Sequence, residues 1–376
     1  MMDKAQILLS PGTEQPRTLV VVFLRGGADG LALVPPLEDD AYYRARPRLA
    51  VSKKDAAPLD GFFGLHPKLA PLQPLFANGE LAVVHAAGSE DQTRSHFEAQ
   101  DLMEHGGIVA GGWLGRFLRT RPASTHGALG CVALGKALPE SLLGAPSVTL
   151  MQTVDDFALG AKSPALLDGL RQLYSLESGQ LGGAARDTFD ALARIEEMRS
   201  TPYRPTHGAV YATDEFSISL REVARLIKAS AGLEAVSIDL GGWDSHFTQA
   251  SVLDPLAARL ATGLASFHQD LGPLMKNTSV VVMTEFGRRV AENSSLGTDH
   301  GRGSVMFALG GGIKGGRVFG PWQGLDDATL EGPGDLPVRN NYRNVLAPIL
   351  ARHGLQDAHL SKVFPGFTIE PLPLYG

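Results

Sequence analysis

The chain has 376 residues, 44% of them hydrophobic, enough to bury a large core in one α/β domain or in two smaller ones. Its 34 Lys and Arg stand against 40 Asp and Glu, a net charge of -6, and the basic residues are scattered rather than gathered in a stripe, which disfavours nucleic-acid binding. No apolar run reaches the roughly 18 residues that a membrane span needs, and the single Cys131 excludes an internal disulfide, leaving it the role of small core filler.

Before residue 18 only Ile7, Leu8 and Leu9 form an apolar patch. No export signal is visible there, so a cytoplasmic location is expected, with a periplasmic or exported protein as the alternative. TLVVVFL at 18–24 is a short, β-branched-rich apolar run that reads as a buried strand leading into the Gly-rich loop RGGADG, which holds Asp29. Residues 66–78 carry Leu69, Leu72, Leu75 and Phe76 at helical spacing, and LAVVHA at 81–86 reads as the next strand. SEDQTR is then a turn, and Ser95 stands where a helix begins with Phe97, Leu102 and Met103 facing inward.

From about 107 to 232, Gly and Pro punctuate the pattern, with a strand expected near 145–150 and helices near 183–199 and 214–231. This stretch reads either as an inserted cap or as ordinary helices packed on a sheet. AVSIDL at 235–240 is a strand followed at once by GGWDSH. Leu253, Leu256, Leu260, Leu264, Phe267, Leu271 and Leu274 then form one helical stripe suited to packing on a sheet. SVVVMT at 279–284 is another apolar strand and delivers EFGRR; TDHGRG precedes the strand in VMFALGGG. GGGIKGG at 310–316 has no helical pattern after it and reads as a hairpin, not a nucleotide-binding loop. A helix near 341–353 closes the chain.

Strands alternating with helices predict a single α/β domain over 1–376, with a mostly parallel sheet and helices on both faces. In such sheets ligands gather beyond the carboxyl ends of the strands. Asp29, Ser95, Asp244 with His246, and Glu285 each follow a predicted strand, so topology brings them together. Asp244 and His246 offer a hard oxygen and an imidazole nitrogen to a divalent ion, although a turn Asp beside a surface His is the plainer reading. Asp299-His300 is similar. A carboxylate directly after SVVVMT, Glu285, needs a partner: a site, or Arg288 or Arg289. Asp29 faces the same choice, with Arg25 as its plain partner. Ser95 is either a helix N-cap or a nucleophile near a cation and the helix N-terminus. Thr93, Arg94 and His96 flank it, and Arg94 either clamps an oxyanion or points to solvent. His85, at a strand end, could approach the site.

The ordered blocks VVVFLRGGADGL, FGLHPKLAPL, TRSHFEAQD, IDLGGWDSHF, VVVMTEFGRR and TDHGRGSVMFALGGGIKGG resemble a largely bacterial domain-of-unknown-function family, number fifteen-hundred-and-one. That family looks like a branch of the alkaline phosphatase and sulfatase superfamily. The resemblance implies an alkaline phosphatase-like α/β fold holding one or two divalent ions (Zn, Mn, Mg or Ca) at the strand ends. It makes Asp29 the metal-binding acid after the first strand, Ser95 the nucleophile with Arg94 and His96 beside it, and Glu285 the acid after a late strand. Asp244 and His246 then serve a second metal, and His300 is the His before a final strand. Two departures bear on this: only Ser245 separates Asp244 from His246, and Glu285-Phe286 replaces a late Asp-His pair. One imidazole is lost, which favours a single site, or an oxygen-rich one suited to Mn or Mg. The implied function is metal-dependent hydrolysis of phosphate or sulfate esters of a small molecule or glycan. The alternative is a non-catalytic binding or assembly protein on the same fold.

Overall fold

Along Thr18–Arg25 (β1), Leu19, Val21 and Phe23 join one hydrophobic cluster, and Val20, Val22 and Leu24 join another. Side chains of a strand alternate between its faces, so a segment apolar at every position must be covered on both sides. That is the structural meaning of TLVVVFL, which becomes the centre of the sheet. The computed structural model describes residues 17–122, 127–157 and 164–375.

A small antiparallel pair, Ala57–Pro58 (β2) and Gly64–Leu65 (β3), lies apart from the main sheet. The main sheet is built from β1, Leu81–Gly88 (β4), Cys131–Leu134 (β5), Thr149–Met151 (β6), Ala235–Gly241 (β7), Thr278–Thr284 (β8), Ser304–Gly310 (β9), Val318–Phe319 (β10) and Asn340–Asn341 (β11). Their order is β10-β4-β9-β8-β1-β7-β5-β6, with β11 also pairing β4. Every pairing is parallel except those of β9, which runs antiparallel to both β4 and β8. The helices Glu215–Lys228 and Gln249–Leu271 pack on one face, and Trp113–Thr120 and Tyr342–Arg352 on the other. The fold is therefore α/β with a mostly parallel sheet covered on both faces.

The reversal of β9 follows from its connection. No helix intervenes between β8 and β9 to carry the chain back across the sheet, and an antiparallel neighbour needs no such crossover. As a result the start of β9 lies at the same edge as the ends of the parallel strands.

Part of the stretch 107–232 enters the sheet itself, as β5 and β6. Cys131 is buried at the start of β5, a four-residue strand too short to stand out among its glycines. Residues 66–78 form a 3₁₀ segment, Pro67–Leu72, and a short α-helix, Gln73–Ala77, because Pro71 and Pro74 interrupt a continuous helix. The hairpin expected at 310–316 is not formed: β10 passes to the far side of β4 and pairs with it in parallel instead of folding back on β9. No described helix is long and apolar enough to cross a membrane.

His353, just past the helix Tyr342–Arg352, is buried, and neither ring nitrogen has a hydrogen-bond partner among the described residues. Burial, reinforced by the nearby charges of Arg352, Arg121 and Arg17, pushes its pKa down to about 3. The folded chain thus resists a proton that the unfolded chain accepts near pH 6.5, so the stability contributed by neutral His353 is present above that pH and erodes as pH falls. Between pH 7 and 5 the native chain is expected to lose about 1–2 kcal/mol more than His353→Leu. Urea unfolding of both proteins at the two pH values checks this, and equal losses would refute it.

Candidate functional site

Four loops meet at the edge described above. Asp244 and His246 follow β7, Glu285 follows β8, His300 precedes β9, and His96 is the first residue of the helix His96–His105 that follows β4. The RGGADG loop after β1 presses against the Asp244 loop, with Trp243 N–H donating to the Arg25 carbonyl at 3.1 Å. Gly26 has a φ of 119°, and a Cβ there would lie 2.6 Å from the Asp244 nitrogen, so this approach requires glycine.

Each of three imidazoles is oriented by an oxygen on its δ side. His96 Nδ1 lies 2.8 Å from Glu285 Oε1, His300 Nδ1 lies 2.7 Å from the Arg94 carbonyl, and His246 Nδ1 lies 3.3 Å from Asp299 Oδ1. A carbonyl or an ionised carboxylate only accepts, so each δ nitrogen carries the proton and each Nε2 presents a lone pair. Those lone pairs converge. His246 Nε2 and His300 Nε2 are 2.8 Å apart, His246 Nε2 is 3.2 Å from Asp244 Oδ1, and His96 Nε2 is 3.7 Å from Asp244 Oδ2. His96 Nε2 is buried with no hydrogen-bond partner among the described residues. Ligand atoms of His96, Asp244 and His300 all lie within 4.8 Å of one another, close enough to share one metal ion.

Buried Arg288 donates to Asp244 Oδ1 at 2.8 Å and to the Gly27 carbonyl at 2.7 Å. Desolvation works against the Asp244 carboxylate, but Arg288, His246 and His96 outweigh it and hold its pKa below the ordinary value. Glu285 is likewise opposed by desolvation, yet hydrogen bonds from His96, Gln100 and the Gly26 N–H hold its pKa down. Desolvation, with the charge of Arg288, pushes the His300 pKa down to about 4. The Asn293 hydrogen bond leads in lowering that of Asp299.

Several expectations are corrected. Asp29 does not join the cluster: Arg46 grips its carboxylate at 2.6 and 3.1 Å, and Gln249 donates to it at 2.6 Å. All three side chains are buried, leaving Asp29 no free oxygen to offer. Arg25, its expected partner, instead pairs with Glu104 and Asp239. Glu285 pairs with neither Arg288 nor Arg289; it accepts from His96 and so stands behind that ring. The Arg94 guanidinium is taken by buried Asp335 at 2.6 Å and by the His300 carbonyl, so it secures the His300 loop and is not free to clamp an oxyanion. Ser95 keeps both of its readings, for it is exposed while its Oγ accepts from Glu98 N–H at 3.5 Å as a helix cap. His85 is buried away from the cluster, against Phe63 and Trp322, with Nε2 3.0 Å from the Val34 carbonyl. Sequence reading missed Arg46, Gln100, Gln249 and Arg288 as positioning groups. Gln100, in the TRSHFEAQD block, and Arg288, in the EFGRR block and already a candidate partner for Glu285, carried a local signal.

A family model described as a protein of unknown function, DUF1501, matches residues 86–369, which leaves out the blocks VVVFLRGGADGL and FGLHPKLAPL. No protein of curated function matches the sequence. Among solved structures, the chain is similar to the zinc-bound C-terminal periplasmic domain of EptC from Escherichia coli, at 10% identity and a TM-score of 0.36, covering 80% of this chain and 74% of that one. It is also similar to the alkaline phosphatase of the Antarctic bacterium TAB5, at 10% identity and a TM-score of 0.29, covering 80% and 93%. A third is BT1596, a 2-O GAG sulfatase, at 10% identity and a TM-score of 0.30, covering 81% and 66%. Likenesses of this degree carry neither substrate nor reaction across.

The two aspartates should separate experimentally. Asp29→Ala leaves the Arg46 charge buried without its partner and is expected to cost about 3–5 kcal/mol of stability. Asp244→Ala also removes the carboxylate from buried Arg288, but that side chain keeps the carbonyls of Gly26, Gly27 and Thr298 and Asp244 is half-exposed, so a smaller cost of about 1–2 kcal/mol is expected. Denaturant unfolding checks the difference, and equal costs would contradict the assignment of Asp29 to the scaffold.

Proposed function

The chain belongs to the DUF1501 family, and from that premise we propose that it is a divalent-metal-dependent hydrolase of phosphate or sulfate esters, with His96, Asp244, His246 and His300 around the cation. One observation carries the reading: imidazole lone pairs aimed at one another and at a carboxylate, with His246 Nε2 and His300 Nε2 only 2.8 Å apart. Facing lone pairs repel unless positive charge lies between them, and a divalent ion supplies it. The buried, unpartnered His96 Nε2 fits the same demand.

Imidazole nitrogens with one carboxylate form a donor set suited to zinc or a similar transition ion more than to calcium or magnesium. When bound, the cation would act as a Lewis acid on an ester oxygen. The protein's part is orientation. Glu285, the Arg94 carbonyl and Asp299 hold the δ protons of His96, His300 and His246, and Arg288 keeps Asp244 ionised. Ser95, exposed one residue before His96, is the nucleophile in this reading.

Elemental analysis of purified protein is expected to find about one divalent ion per chain, lost in Asp244→Ala and His300→Ala. Aryl phosphate or aryl sulfate should be hydrolysed, and Ser95→Ala should lower kcat by about 10³-fold or more. Ser95→Asn preserves the helix cap; if it restores the rate, Ser95 is a cap and the nucleophile assignment fails. Protein free of metal and inert to both esters would remove the proposal.

A further inference from the structure

A cavity of 460 Å³ opens beyond the carboxyl ends of β5, β6 and β7, with Leu134, Gln152, Ile218, Ser237 and Asp239 on its walls. Its size falls within the roughly 300–1,000 Å³ of small-molecule sites. It is not a separate feature of the surface. Gly241, at the end of β7, lines it, and the same chain reaches Asp244 three residues later. Side chains also join it to the candidate centre. Asp239 holds Arg25 at 2.8 Å, Arg25 donates to Gln100 at 3.1 Å, Gln100 donates to Glu285 at 2.9 Å, and Glu285 holds His96 at 2.8 Å. The cavity and the imidazole cluster therefore lie along the same strand-end edge, linked by this chain of side chains.

The charges on its wall answer one another. Exposed Lys136 and Glu215 pair at 3.0 Å across the rim, and Asp239 is engaged by Arg25. What is left to meet a ligand is aliphatic surface with neutral hydroxyl and amide groups. Below that exposed rim a charged ligand group would lose water and meet no unpaired charge, whereas an apolar group bearing a hydroxyl would lose little.

We propose that this cleft binds the uncharged, largely apolar alcohol portion of the ester, an aryl or alkyl alcohol, while the anionic end lies at the imidazole cluster. The inference rests on the ester-hydrolase reading for its substrate, but the cleft can be tested without turnover.

The test uses the full chain as purified, with Ile218→Trp and Ser219→Phe to fill the cleft from half-buried wall positions, metal content and unfolding midpoint confirming that each variant is intact. Phenol binding is followed by ligand-observed NMR, with tyramine, a phenol bearing a cationic group, as the charged counterpart. Phenol is expected to bind the native protein, to bind both variants about 10-fold or more weakly, and to bind better than tyramine. The KM for an aryl ester should rise by a similar factor in the variants, with kcat kept. Equal phenol binding by native protein and variants, or tighter binding of tyramine through the cleft, would overturn the proposal. If no ester is turned over but phenol binding is lost in both variants, the cleft stands and the ester reading falls. If esters are turned over with unchanged KM in both variants, the reverse holds.

Discussion

The candidate centre depends on a carboxylate that takes no part in it. Asp29 is buried after β1 and is gripped by Arg46 and Gln249, and these two partners reach onward to separate loops. Arg46 donates to the carbonyls of Arg289 and Val290 at 2.8 Å each, while Gln249 Oε1 accepts from Thr298 at 2.6 Å and Ser245 at 3.2 Å. One buried ion pair with its amide neighbour thus holds the segments that carry Asp244, His246 and His300. A buried charge is tolerable only when every oxygen is satisfied, which makes such a hub rigid and intolerant of a missing member.

Rigidity matters because the imidazoles face one another across distances that relaxed side chains would avoid. Each ring is held from behind by an acceptor, and Arg288, itself bonded to the Gly27 carbonyl, braces the Asp244 carboxylate. This is the pattern of an outer shell that fixes tautomer and direction, leaving the inner atoms to whatever positive charge they meet. The Glu285 carboxylate belongs to that outer shell. Its place directly after an apolar strand signalled that it needed a partner; which partner was settled by the helix that starts at His96, in a distant part of the chain.

Periodicity made much of the architecture legible. The apolar runs at 18–24, 81–86, 235–240 and 279–284 and the leucine stripe from Leu253 to Leu271 declare their elements because burial on both faces of a sheet, or on one stripe of a helix, leaves a regular pattern. The short strands β5 and β6 are legible only weakly or not at all, since three or four residues carry too little period. Likewise, β10 pairs with β4 through two residues whose sequence holds no trace of their partner.

By itself, then, the sequence determined the α/β alternation, the strand-end placement of Asp244, His246 and Glu285, and the acceptor chemistry those residues bring. Tertiary structure decided which of them meet. The grip of Arg46 on Asp29, the attachment of Arg94 to Asp335, and the reversal of β9 that sets His300 beside His246 each join residues far apart in the chain. Local pattern records whether a side chain will be buried or strand-borne; it does not record its partner, because partnership is set by the direction and spacing of elements that only the packed sheet defines.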